Sequence, residues 1–119
     1  MIEVTLTGID YSGTVHFRED KGEVRIIVTG HGNYGPKGTD IVCAAASVLS
    51  QTLVMSISQM TTLRQKISQR DGHLESIIAT DQMPGEEGKT LKNLLGYFCI
   101  GILELQHHYP DHLSLTIEG

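Results

Sequence analysis

Residues Thr29 to Ser47 spell TGHGNYGPKGTDIVCAAAS, and the layout of the whole chain follows from how this stretch folds. It begins at the end of Glu23 to Thr29, a β-branched, alternating run that predicts a strand. Four glycines and a proline then fall between Gly30 and Gly38, which leaves room only for a loop. Thr39-Asp40 supplies N-cap chemistry, and a helix is expected from Ile41 to about Met60. Cys43, Ala44, Ala45, Ala46, Val48 and Leu49 make that helix apolar on most sides, the mark of a central, covered helix.

Working outward, Ile2 to Leu6 alternates with period two and is bounded by Gly8. Thr14 to Arg18 is a second β-branched run, and Glu19-Asp20-Lys21-Gly22 predicts a hairpin loop joining it to Glu23–Thr29. Beyond the first helix, Thr62–Gln69 and His73–Thr80 flank Arg70-Asp71-Gly72, another hairpin signal. Met83 to Gly88 is expected to be loop. A second helix is expected over about Lys89 to His107, with Leu91, Leu94, Leu95, Phe98, Ile102 and Leu105 on one face. Pro110 ends it, and Leu113 to Ile117 makes a last strand. The resulting order, βββαββαβ, does not alternate strand with helix one for one. It predicts an α+β fold, two helices packed on an antiparallel-rich sheet, as a single domain over 1–119.

The chain has 119 residues, 39% hydrophobic and 19% charged, enough for one core without disulfide or metal. A formal charge of −5 argues against nucleic acid or anionic lipid as partner. Two cysteines form no disulfide framework, so a cytoplasmic setting is expected. No charge occurs from Ile41 to Leu63, yet Ser47, Ser50, Gln51, Thr52, Ser56 and Ser58 make the segment too polar for a membrane span.

The chemistry concentrates where the loop meets the first helix. With Asp40 as N-cap, Cys43 is the third helical residue, and amide donors and the helix dipole favour an anion such as a thiolate there. His31, at the loop's mouth, is suited to act as its general base. The intervening twelve steps of chain allow contact without forcing it. The same residues also fit a plainer role, Cys43 as a small core residue and His31 as a loop residue.

This stretch resembles the signature of the ribosomal-processing cysteine proteases, a bacterial family written GHA, then GxxG, then DIVCAAxS. Gly30, His31, Gly35, Gly38, Asp40, Ile41, Val42, Cys43, Ala44 and Ser47 carry the match. The resemblance implies an α+β domain that forms a homodimer and uses a Cys–His dyad without metal or cofactor. The implied task is removal of a short N-terminal extension from a large-subunit ribosomal protein. Cys43 would be the nucleophile, His31 the base, Asp40 the cap of the loop-to-helix junction, and Ser47 a polar support. The helix-start amides, including that of Cys43, would be candidates for the oxyanion hole. Relatives carried by phages imply a capsid or scaffold protein as alternative substrate. Gly32 replaces the usual Ala, Asn33–Lys37 departs from the pattern, and Met1–Ile9 reads as a strand added before the family's usual start. A non-enzymatic, dimeric protein-binding module is the other alternative.

Other motifs have structural readings. Gly30 to Gly35 spells GxGxxG, but Pro36 delays the helix that a dinucleotide turn requires. Lys89-Thr90 ends a GKT without the first glycine of a phosphate loop; Glu86 and Glu87 suit a helix entry. His107, His108 and His112 suit a helix C-terminus better than zinc. Cys99 suits core packing, and Arg64, Lys66 and Arg70 a solvated strand face.

Overall fold

The computed structural model describes residues 1–31 and 40–119. Its elements run β1 (Ile2–Thr7), β2 (Ile9–Tyr11), β3 (Val15–Phe17), β4 (Glu23–Gly30), α1 (Ile41–Met60), β5 (Gln65–Arg70), β6 (His73–Ala79), α2 (Gly85–His108) and β7 (Leu113–Glu118). The fold is α+β as the sequence predicts, with one strand more.

A five-stranded sheet has the order β5-β6-β4-β1-β7. β1 lies inside it, antiparallel to β4 and parallel to β7. The N-terminal strand is therefore integral to the sheet and not an addition at its margin. Period-two alternation sends Val4, Leu6, Val24, Ile26 and Ile78 to one face, where they are at most 1% exposed. Val42, Leu53 and Ile57 of α1 and Leu91, Leu95 and Ile102 of α2 meet them in one core.

The extra strand is β2, and it redirects the expected hairpin. β3 pairs with β2 in a separate two-stranded sheet, Ile9 opposite Phe17 and Tyr11 opposite Val15, while β4 pairs with β1 and β6. Three residues are too few for alternation to be visible in sequence. The turn at Ser12-Gly13 outcompetes the longer Glu19–Gly22 connection because Ile9 and Val15 bury fully when paired. Arg18 reaches back to Asp10 at 3.6 Å.

α2 begins at Gly85, so its first turn, with Glu86 and Glu87, takes up residues expected in a loop. Glu87 Oε2 accepts from the Thr62 amide at 2.7 Å, tying the exit of α1 to the entry of α2. α1 has the expected bounds but is not covered on all sides. Only Val42, Ala46, Ser50, Leu53, Val54 and Ile57 are buried, and Val48 and Met55 stand in solvent. By length and composition α1 matches a membrane span; here its inner stripe packs on the sheet and on α2.

Gln65 fastens α1 to the sheet. Its amide nitrogen donates to the Val54 carbonyl at 3.0 Å and to Ser58 Oγ at 2.8 Å, and its Oε1 accepts from the buried Ser76 hydroxyl at 2.6 Å. Gln65→Ala should cost about 1–3 kcal/mol in urea denaturation, because it strands a hydroxyl in the core. The double variant with Ser76→Ala should lose less than the sum of the two single changes.

Candidate active site

Asp40 adopts extended φ and ψ of −71° and 105°, and its Oδ1 accepts from the amides of Val42 and Cys43, both at 3.0 Å. The Asp40 carbonyl then accepts from Ala44 at 3.1 Å and α1 is under way. Cys43 is thus the third helical residue, as the sequence predicts, half-buried with its side chain against the margin of the core. The cap has a consequence for the oxyanion-hole expectation. The Cys43 amide, like that of Val42, donates to the Asp40 carboxylate, so in the free chain the cap and a substrate oxygen compete for it.

At the other end of the loop, Gly30 closes β4 at a φ of +92°, where a side chain would strike the Met1 carbonyl oxygen. Its amide donates to the Gly72 carbonyl at 2.9 Å, which pins the end of β4 to the β5–β6 turn. The exposed His31 ring lies over that turn, and a methyl group on Gly72 would come within 3.1 Å of its Nε2. Gly72 itself has a φ of +70°, so this turn needs glycine both for its backbone and for the imidazole above it.

A cleft of about 110 Å³ opens between α1 and the strand ends. Cys43, Ser47, Ser50 and Gln51 line its helix side; Gly30, Gln69, Arg70 and Gly72 line its sheet side; Ile2, Val28, Ala46 and Leu74 contribute apolar surface. Of the residues singled out in sequence, Cys43, Ser47 and Gly30 share this cleft, His31 neighbours two of its lining glycines, and Asp40 sets the helix that carries the thiol. No hydrogen bond among the described residues joins His31 to Cys43. Gly35 and Gly38, with Gly32 and Asn33–Lys37, lie outside the described residues. Sequence reasoning did not find Ser50, Gln51 or Gln69. Gln51 is two turns beyond Cys43 on the same flank, a spacing that could have identified it. Gln69 depends on how the β5–β6 hairpin returns to the helix.

His108 Nε2 lies 2.8 Å from Glu104 Oε1, one helical turn back, and among the described residues no histidine, cysteine or carboxylate cluster is arranged for a metal. Cys99 is fully buried in α2, and burial pushes its thiol up to about 11.

A family model described as cysteine protease Prp matches residues 13–114. The ribosomal processing protease Prp from S. aureus, solved with a covalently linked product peptide, is similar at 25% identity and a TM-score of 0.75, over 98% of this chain and 99% of that one. The same S. aureus protease with a substrate peptide shares the fold at 24% identity and a TM-score of 0.68, again over 98% and 99%. A Streptococcus mutans protein is similar at 26% identity and a TM-score of 0.67, over 99% of this chain and 94% of that one. No curated protein matches the chain by sequence.

The two thiols should separate chemically. Near pH 8 the native protein should take up one equivalent of iodoacetamide, at Cys43, with Cys99 modified only after unfolding; peptide mapping reads this directly. The unfolded Cys99 thiol ionises near 9.0 and the folded one near 11. The unfolded chain therefore holds fewer protons across that window, and stability should fall as pH rises through it. Asp40→Ala should cost about 1 kcal/mol in thermal or urea unfolding by removing the cap.

Proposed function

The chain belongs to the Prp cysteine protease family, and from that premise we propose that Cys43 is its nucleophile, His31 its general base, and the N-terminal extension of a large-subunit ribosomal protein its substrate. The observation that carries this reading is the capped helix start. Asp40 holds the first turn of α1 so that Cys43 lines the cleft whose opposite wall includes Gly30, the residue before His31.

The chemistry follows from those positions. The Cys43 thiolate attacks the scissile carbonyl carbon and an S–C bond forms as the carbonyl π electrons move to oxygen. The tetrahedral intermediate collapses with cleavage of the C–N bond, and His31 gives the leaving amine its proton. A water, deprotonated by the now neutral His31, attacks the thioester; its collapse releases the carboxylate and restores the thiolate–imidazolium pair. Apolar surface from Ile2, Val28, Ala46 and Leu74 gives a substrate side chain a dry seat beside the thiol. Ser47, exposed one turn beyond Cys43, is a polar support on the cleft wall. Both cysteines are free thiols, which suits a cytoplasmic enzyme.

The same reading makes the enzyme a homodimer. Its support is the outer face of the helix layer: Ile41, Val48 and Met55 recur every seven residues along α1 and are 50%, 66% and 56% exposed, with Tyr97 and Ile100 of α2 also turned outward. No charge interrupts α1, so two copies can approach along it without like-charge repulsion.

Incubation with synthetic N-terminal peptides of the ribosomal protein, read by mass, should give one cut. Cys43→Ala should lose at least ~10³-fold in turnover while still binding peptide. His31→Ala should cut slowly and slow the alkylation of Cys43. Wild-type-like turnover by Cys43→Ala would end the proposal. Val48→Lys should shift the sedimentation mass from dimer to monomer without unfolding the chain.

A further inference from the structure

β5 is an edge strand whose last two residues, Gln69 and Arg70, line the cleft. The β5–β6 register fixes which of its backbone groups are spent. Ala79 donates to the Arg64 carbonyl at 3.1 Å, so Arg64 and Ala79 form a hydrogen-bonded pair. By antiparallel alternation Lys66↔Ile77, Ser68↔Glu75 and Arg70↔His73 are bonded inward too. Gln65, Ile67 and Gln69 consequently direct their N–H and C=O groups away from the sheet.

Side-chain parity gives that edge a second property. Ile67 lies opposite Ser76 and Gln69 opposite Leu74, so both are on the helix side of the sheet. α1 runs back along β5: Gln65 bonds to Val54 and Ser58, while Gln69 shares the cleft with Cys43, Ser47 and Gln51. The helix-side residues of β5 are therefore the uncharged Gln65, Ile67 and Gln69, and the last of them stands in the cleft with the Cys43 thiol. Ile67, in the middle of the strand, is 45% exposed.

Resting on the protease reading above, we propose that the substrate peptide binds as an added strand on the outer edge of β5, paired through the backbone of Ile67 and Gln69, which feeds its scissile bond to Cys43. An open edge of six residues without proline or bulge is a standing risk of pairing with the wrong partner. Arg64, Lys66 and Arg70 make this one repel a second copy of itself. An extended segment without lysine or arginine facing those side chains meets no such barrier. Strand addition also gives affinity through the main chain and leaves side-chain selection to the cleft.

The test uses Cys43→Ala and a synthetic N-terminal peptide of the ribosomal protein, with amide exchange followed by NMR. At saturation the Ile67 and Gln69 amides should exchange at least about tenfold more slowly, while those of Lys66 and Ser68, already bonded to β6, stay unchanged. N-methylation along the peptide should weaken binding at alternate residues only. Ile67→Pro, which removes an outward donor and leaves the β6 pairing whole, should weaken binding about tenfold. In a chain that keeps Cys43, the same change should leave thiol alkylation at its native rate. Saturable binding with no protection at Ile67 and Gln69, and equal tolerance of N-methylation everywhere, would overturn strand addition alone. No binding at all would overturn the protease reading and the strand addition with it.

Discussion

One carboxylate decides where the first helix begins. Asp40 Oδ1 takes the amides of both Val42 and Cys43, and with those donors satisfied the helix has a single energetically favourable start. Without that cap the first turn frays, and Cys43 lies within it. The cap thereby fixes the thiol on the wall it shares with Ser47, Ser50 and Gln51. The second anchor is the bond from the Gly30 amide to the Gly72 carbonyl, which holds the end of β4 against the β5–β6 turn. These two anchors belong to opposite walls of one cleft, joined by chain that neither of them contains. Among the described residues, a cap and a turn thus hold the two walls of the candidate site.

Much of this was legible in the sequence because the signals are local. A capping residue before an apolar run, an Asp-Gly pair between alternating segments, and a proline after a leucine-rich stretch each act over a few residues, and each corresponds to an element boundary in the structure. Asp40, Gly72 and Ile41–Met60 are of this kind. The pairing of β3 was not legible. Thr14–Arg18 carries the same strand signal whether its partner is Ile9–Tyr11 or Glu23–Thr29. The choice depends on the burial of Ile9 and Val15 and on β1 occupying the side of β4 that β3 would need. That competition is settled only when the whole sheet is assembled.

The site divides the same way. Residue type and helix position identify Cys43 without tertiary information. The sheet wall, with Gln69, Arg70 and Leu74, depends on the distance over which the hairpin returns toward α1, and no spacing within Gln65–Ala79 encodes that. The oxyanion-hole expectation meets a related constraint. Counting amides at a helix start does not reveal that one side-chain oxygen takes two of them. A strong cap and an amide free for a substrate oxygen are competing uses of the same donors, and without substrate the cap holds the Cys43 amide.

The outer face of α1 follows from a different constraint. A helix packed on a sheet needs one apolar stripe, and Val42, Ala46, Leu53, Val54 and Ile57 supply it. α2 mixes charged and apolar residues outside its own stripe, with Glu86, Glu87, Lys89, Lys92 and Glu104 on its wetter sides beside the exposed Tyr97 and Ile100. α1 carries Ile41, Val48 and Met55 on its outer side with no charge at all, so sequence alone predicts cover on both faces while the fold of one chain covers only one. The seven-residue spacing of those three side chains drifts by only ~20° per step around a straight helix, which keeps them in a continuous band along its length. A band of that kind contributes nothing to the stability of an isolated chain. Its burial energy becomes available only on contact with another surface of the same character, and a second α1 is such a surface, being uncharged and apolar at the same spacing.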